Sequence, residues 1–238
     1  MKKVFNALLA LCVVGLLFIC WRSIQDDIDF QKEVTVRENA VKARLLQIRA
    51  AEEEFKLQSP EAAYCDSLWK LVEFVRTGRI PKIVKEGVLS DEQMEKGLTE
   101  AKAAAIVNSG DAAAIAANGL QGFRRDTILE NMIETIFKGE FTADNIDQIT
   151  YIPYSELRQG GKKGEPVRFE IEVNDEYKTS QGIHVPLFEA RAPFDTYLAD
   201  QDLQELANLN DKETKLEHYP GLKVGSIEAP NNNAGNWE

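Results

Sequence analysis

Residues 4–21, VFNALLALCVVGLLFICW, carry no charge over eighteen positions, and from Ile24 to Leu57 the chain contains neither glycine nor proline. An uncharged apolar run of that length can just cross a bilayer as a helix, and the helix formers that follow let the same helix continue beyond the lipid. The remainder of the chain must therefore fold beside or beyond a rod.

The flanks of the apolar run favour an uncleaved anchor. Lys2 and Lys3 precede it, and Trp21 with Arg22 closes it at a position suited to the membrane interface. A cleaved signal peptide would need small residues at a cleavage site, where this chain has Phe18-Ile19-Cys20-Trp21. Acids follow at Asp26, Asp27 and Asp29, so the charge bias places the N-terminus in the cytoplasm and the bulk outside it. Cys12 and Cys20 fall in the span as small apolar residues, and Cys65 reads as a free buried thiol.

Past the anchor, Val34, Val41, Ile48 and Phe55 recur every seven residues, with Leu45 as a second core-type position. Glu38 and Glu52 occupy the opposite phase, so the seam of a self-sufficient coiled coil is incomplete. The spacing predicts a narrow apolar stripe that must find a partner, either the chain's own domain or another subunit.

Pro60 ends the rod, and Asp66 or Ser67 caps a second helix running towards Gly78, with Leu68, Leu71, Val72 and Val75 on one face and Trp69 and Phe74 beside them. This helix is expected to fold back onto the stripe near Phe55. Ser90 and Gln93 form a capping box for a helix over 91–107, and the alanine-rich 101–117 reads as a helical hairpin or an insertion. Thr127 with Glu130 forms a second box, which with Ile128, Leu129, Met132, Ile133, Ile136 and Phe137 predicts a helix over 127–138. The period then changes to strands. These are expected at 149–153, at 167–173 where apolar and polar residues alternate, at 183–187 on a sheet edge because of Pro186 and Pro193, and at 222–227. Residues 202–217 read as a helix and the closing APNNNAGNWE as a flexible tail.

The net charge of −11 is concentrated late, residues 165–238 holding 15 acids against 6 Lys and Arg. Phosphate backbones would be repelled, so no nucleic-acid partner is expected. No catalytic constellation, cofactor site or metal site emerges. His184 and His218 stand far apart without a second ligand type, the glycines at 160–164 precede no helix, and the acid clusters match an acidic surface.

The run Gln47-Ile48-Arg49-Ala50-Ala51-Glu52-Glu53-Glu54-Phe55-Lys56, followed by Tyr64 and Asp66-Ser67-Leu68, resembles the corresponding region of type IV pilins and pseudopilins. That resemblance implies a membrane helix continuing into an amphipathic spine with an antiparallel sheet on its exported half. The processing glycine and the early glutamate of those proteins have no counterpart here. The layout is also similar to the bitopic assembly-platform proteins of type II secretion and type IV pili. Along its length the chain resembles a family of single-pass envelope proteins of Gram-negative bacteria, through Arg125-Asp126-Thr127, Tyr151-Ile152-Pro153-Tyr154, Val185-Pro186-Leu187-Phe188-Glu189-Ala190, Tyr219-Pro220-Gly221-Leu222-Lys223-Val224-Gly225-Ser226 and Gly235-Asn236-Trp237-Glu238. That resemblance implies no activity.

The expectation is an α+β protein. A cytoplasmic tail at 1–3 leads to a transmembrane helix at 4–24, a long amphipathic helix at 25–58, an exported domain at 59–228 built on a small antiparallel sheet with helices, and a tail at 229–238. Its expected setting is the inner membrane, single-pass, with the bulk in the periplasm. Its expected role is a non-enzymatic structural or assembly subunit whose partners are the lipid bilayer and other envelope proteins or itself. The alternative is a ligand- or peptide-binding sensor domain on the same anchor.

Overall fold

The computed structural model describes residues 2–238, without the side chains of residues 2–5, 7, 8, 10 and 23. Met1, where the expected cytoplasmic tail begins, lies outside the described residues. The chain is α+β, a long N-terminal helix followed by short helices and small antiparallel sheets. In chain order its elements are α1 (Lys2–Gln58), α2 (Leu68–Thr77), β1 (Arg79–Glu86), α3 (Asp91–Glu95), α4 (Glu100–Asn108), α5 (Ala112–Ala117), β2 (Arg124–Asn131) and α6 (Met132–Phe137). They continue with β3 (Leu157–Arg158), β4 (Lys162–Lys163), β5 (Glu170–Asn174), β6 (Leu187–Pro193), α7 (Phe194–Tyr197), α8 (Leu203–Lys215) and β7 (Gly221–Gly225).

Two compact units form, one from residues up to Phe74 together with Thr142–Glu238, the other from Val75–Phe141. The span 59–228, expected as one exported domain, contributes to both.

In the first unit α1 runs unbroken for 57 residues, about 85 Å at the usual rise per residue. It stops where Ser59 N donates to Phe55 O at 2.8 Å and Pro60 removes the next donor. The sheet has the order β5-β6-β7, all antiparallel. Its register aligns Ile171, Ala190 and Val224 in one row, with Val173 beside Phe188 and Ala192 beside Leu222. These residues share one face by the two-residue period of a strand. Phe188, Ala190, Ala192, Leu222 and Val224 are buried, and β6 and β7 lie against α1. The other face carries the charged row Glu170, Arg191 and Lys223, with Glu189 buried between Lys223 at 2.8 Å and Arg191 at 3.5 Å. Gly225 sits at φ +77°, and a Cβ there would run into the Phe188 carbonyl.

In the second unit β1 and β2 make a two-stranded antiparallel ribbon, with α3, α4 and α5 inserted between its strands. Leu89, Ala103, Leu120 and Phe123 form a small core there.

Several sequence expectations are corrected. The helix expected over 127–138 is a strand to Asn131 and a helix only from Met132, with Asn131 rather than Thr127 as its cap, accepting from Ile133 N at 2.9 Å. Pairing with β1 outweighs a local capping pattern that any exposed Thr-x-x-Glu also satisfies. The helix over 91–107 is interrupted at Gly97, φ +81°, although its Ser90/Gln93 capping box is present. Of the strand expected at 149–153, residues 149 and 150 instead end a 3₁₀ turn, Ile146–Thr150, and Tyr151 makes only an isolated bridge to Arg168. The strand expected at 183–187 begins only at Leu187, just after Pro186, and lies in the centre of the sheet rather than at its edge because β5 and β7 pair with its two sides. The hairpin expected at 101–117, the helix near 202–217 and the last strand all form.

Candidate functional site

Helix α1 passes through two environments. From Leu11 to Ile19 the described large apolar side chains Leu11, Val13, Val14, Leu16, Leu17, Phe18 and Ile19 are exposed, as are Trp21 and Ile24. Trp21 is 62% exposed with its ring 6.3 Å from that of Phe18, and Arg22 reaches Asp26 at 3.7 Å. Among the described residues no helix is long and apolar enough to cross a membrane.

From Phe30 onward the same helix is buried along one side. Val34, Val41, Leu45 and Ile48 fall in the core as the stripe predicts, and Phe30 and Ala51 extend it. Phe55 is half-buried and meets Phe74 of α2 edge-on at 5.1 Å, the fold-back contact expected from the sequence. β6 and β7 lie against α1, and the side chains of Val34, Val41, Leu45 and Ile48 are buried within the first unit.

Two polar residues lie inside that stripe. Arg37, 5% exposed, donates to the Tyr197 carbonyl at 2.9 Å and to Asp200 through both terminal nitrogens, the Nη2 contact being 3.0 Å, and stacks on the Tyr154 ring. Burial opposes its charge, while Asp200 and Glu33 favour it strongly enough to raise its pKa. In return the Arg37 hydrogen bond holds the Asp200 carboxyl below the usual range. Glu52 is fully buried; its Oε2 accepts from Cys65 N at 2.8 Å, and its Oε1 has no hydrogen-bond partner among the described residues. Desolvation pushes its pKa up to about 8, with nearby Asp66 adding to the shift and the Cys65 amide opposing it. At neutral pH this carboxyl is therefore largely protonated and adds no charge to the core. Cys65 is a buried thiol facing the Ser67 carbonyl at 3.2 Å, and burial raises its pKa.

The closing residues, expected as a flexible tail at 229–238, run along the sheet and α1. Gly235 bridges Val224, Asn236 N donates to Lys223 O at 3.0 Å, and Asn233 Nδ2 reaches Glu53 at 3.1 Å and Tyr64 at 2.9 Å. Arg49 donates to Asn233 O and to the Glu238 side chain, and Lys42 lies 5.9 Å from the centroid of a Trp237 ring.

Among the described residues, no group of His, Cys, Asp and Glu could hold a metal ion. His218 pairs with Glu213 at 3.1 Å, and His184 lies in an isolated bridge to Lys178. A groove of about 460 Å³ in the first unit is lined by Arg44, Tyr151, Pro153, Tyr154, Glu156 and Pro166, a mixed rather than an apolar wall. The burial of Arg37 and Glu52 escaped the sequence reading, which took Glu52 only as a charge that interrupts the opposite phase of the stripe. Their signal was the helical phase itself: 34, 37, 41, 45, 48 and 52 follow one face at spacings of three and four.

No protein-family model, curated protein or solved structure matches this chain.

Proposed function

We propose that this chain is a membrane-anchored structural or assembly subunit of a cell-envelope complex, held in the inner membrane by residues 4–24 and acting by protein–protein association from the periplasmic side. One observation carries the reading. Within a single unbroken helix, the large apolar side chains from Leu11 to Trp21 are largely exposed, Phe18 and Ile19 nearing only the polar Asp202, Gln204 and Glu205, while Phe30, Val34, Val41, Leu45 and Ile48 are buried in the first unit. Exposed apolar side chains around a helix suit lipid, and the charge-free sequence of residues 4–21 supports the same assignment. Trp21 and Arg22 then stand at the interface. A packed sheet-on-helix core beyond the anchor, with polar bonds locked inside, suits a scaffold.

Alkaline carbonate extraction of native membranes tests the anchor, with protease added from the periplasmic side to test the orientation. The full chain is expected in the pellet and its bulk digestible from outside; release into the supernatant would overturn the anchor. Amine-reactive cross-linking of the same membranes tests association, and monomer at every cross-linker concentration would overturn it.

A further inference from the structure

We infer that two copies of this chain join through the outer edge of β2, turning the two-stranded ribbon into a four-stranded antiparallel sheet about a two-fold axis. The inference rests on the association reading and names its partner, a second copy.

A two-stranded ribbon is marginal by itself and leaves two edges unpaired. Ile83, Ile128 and Leu129 are exposed on this one, Leu129 at 67%. The ladder tells which backbone groups point outward. Met132 N donates to Gly78 O at 3.2 Å, so the 78/132 pair belongs to the hydrogen-bonded class. Following the register Arg79↔Asn131, Pro81↔Leu129 and Ile83↔Thr127, these pairs fall in the alternate class, whose N–H and C=O groups face away from the partner strand. On β1 that outward row contains Pro81, which has no N–H, so this edge cannot complete a ladder. On β2 the row is Arg125, Thr127, Leu129 and Asn131, and the outward backbone groups of Arg125, Thr127 and Leu129 have no partner among the described residues.

Charge then selects the occupant and the register. β2 reads RRDTILEN, basic at its start and acidic near its end, so an antiparallel second copy sets opposite charges together. Backbone parity requires residues of the outward row to face one another. Centring the axis on Thr127 places Thr127 opposite its mate, Arg125 opposite Leu129 of the second copy, and Arg124 opposite the second copy's Glu130, twice by symmetry. Centring it on Ile128, the next register that parity allows, would set Asp126 against Glu130 and is disfavoured. Glu130 already accepts from Lys82 at 2.7 Å, so in the favoured register it stands between two cations.

The test uses the full chain in its membranes, with Cys12→Ala, Cys20→Ala and Cys65→Ala. Directly opposed residues of a hydrogen-bonded pair lie within disulfide reach. Under mild oxidation Thr127→Cys is expected to give at least about tenfold more disulfide-linked dimer than Ile128→Cys. Arg124→Glu is expected to reduce that dimer, and adding Glu130→Arg to restore it. Equal or smaller yield at 127 than at 128, or no rescue by the charge swap, overturns the inference. If amine-reactive cross-linking of the same membranes still gives higher species, association stands and only this interface falls; if it does not, both fall.

Discussion

Glu52 Oε2 accepts the backbone N–H of Cys65 at 2.8 Å, tying the last turns of α1 to the segment that leads into α2. Because burial is the main cause of the raised pKa of Glu52, the folded chain holds a proton there that the unfolded chain releases at an ordinary carboxyl value. The sign follows from linkage. The contribution is complete below about pH 4.5 and is lost as pH rises to about 8, at a slope of about 1.4 kcal/mol per pH unit within that window.

Glu52→Gln keeps the shape and removes the proton. We expect its stability to be nearly flat where the parent's falls between pH 5 and 8, with the variant the more stable of the two at about pH 8. Urea titrations of both proteins across that range check it. Parallel pH profiles would show that Glu52 is not the titrating group.

Arg37 and Asp200 form a pair that is buried on the arginine side and partly exposed on the aspartate side, 5% and 19% by side chain. Removing the aspartate strands a buried guanidinium. We expect Asp200→Ala to cost about 2–4 kcal/mol and Arg37→Ala somewhat less for its charge, since Asp200 can still reach water. Because Asp200 titrates below its ordinary value, the pair's contribution is present above about pH 4 and lost as pH falls through that region. The acid limb of an unfolding profile should therefore flatten in Asp200→Asn.

The stripe residues Val41, Leu45 and Ile48 are fully buried, whereas Val36 on the same helix is 55% exposed. Leu45→Ala and Ile48→Ala are expected to cost about 2–5 kcal/mol, and Val36→Ala about 0.5 kcal/mol or less. Cysteines placed at 34, 41 and 48 should resist both thiol reagents and cross-linking in the folded protein. Rapid labelling at 48 would show that the sheet does not cover this face.

Asn233 links Tyr64 and Glu53 of the first unit to the closing residues. Asn233→Ala is expected to cost about 1–2 kcal/mol and to raise amide exchange at Asn236, whose N–H is held by the Lys223 carbonyl, ahead of the sheet, since the nearby tie to Glu53 and Tyr64 is lost. Exchange unchanged from the parent would locate the hold on this segment elsewhere, at Arg49 or Trp237.

Local chemistry determined much of this fold from sequence alone. The unbroken α1, its stop at Pro60, the seven-residue stripe, the Ser90 capping box and the helix near 202–217 each depend on residues within a few positions of one another, and such signals survive without tertiary context. Tertiary structure decided what depends on distant partners. Thr127–Glu130 satisfied a helix rule locally but is a strand because β1 lies alongside it, and β6 is central although its flanking prolines suggested an edge. Arg37 and Glu52 are tolerated inside because Asp200 and the Cys65 amide meet them there, contacts 163 and 13 positions away. A side chain's polarity is written in the sequence; whether burying it costs or stabilises depends on the groups that the folded chain brings to face it.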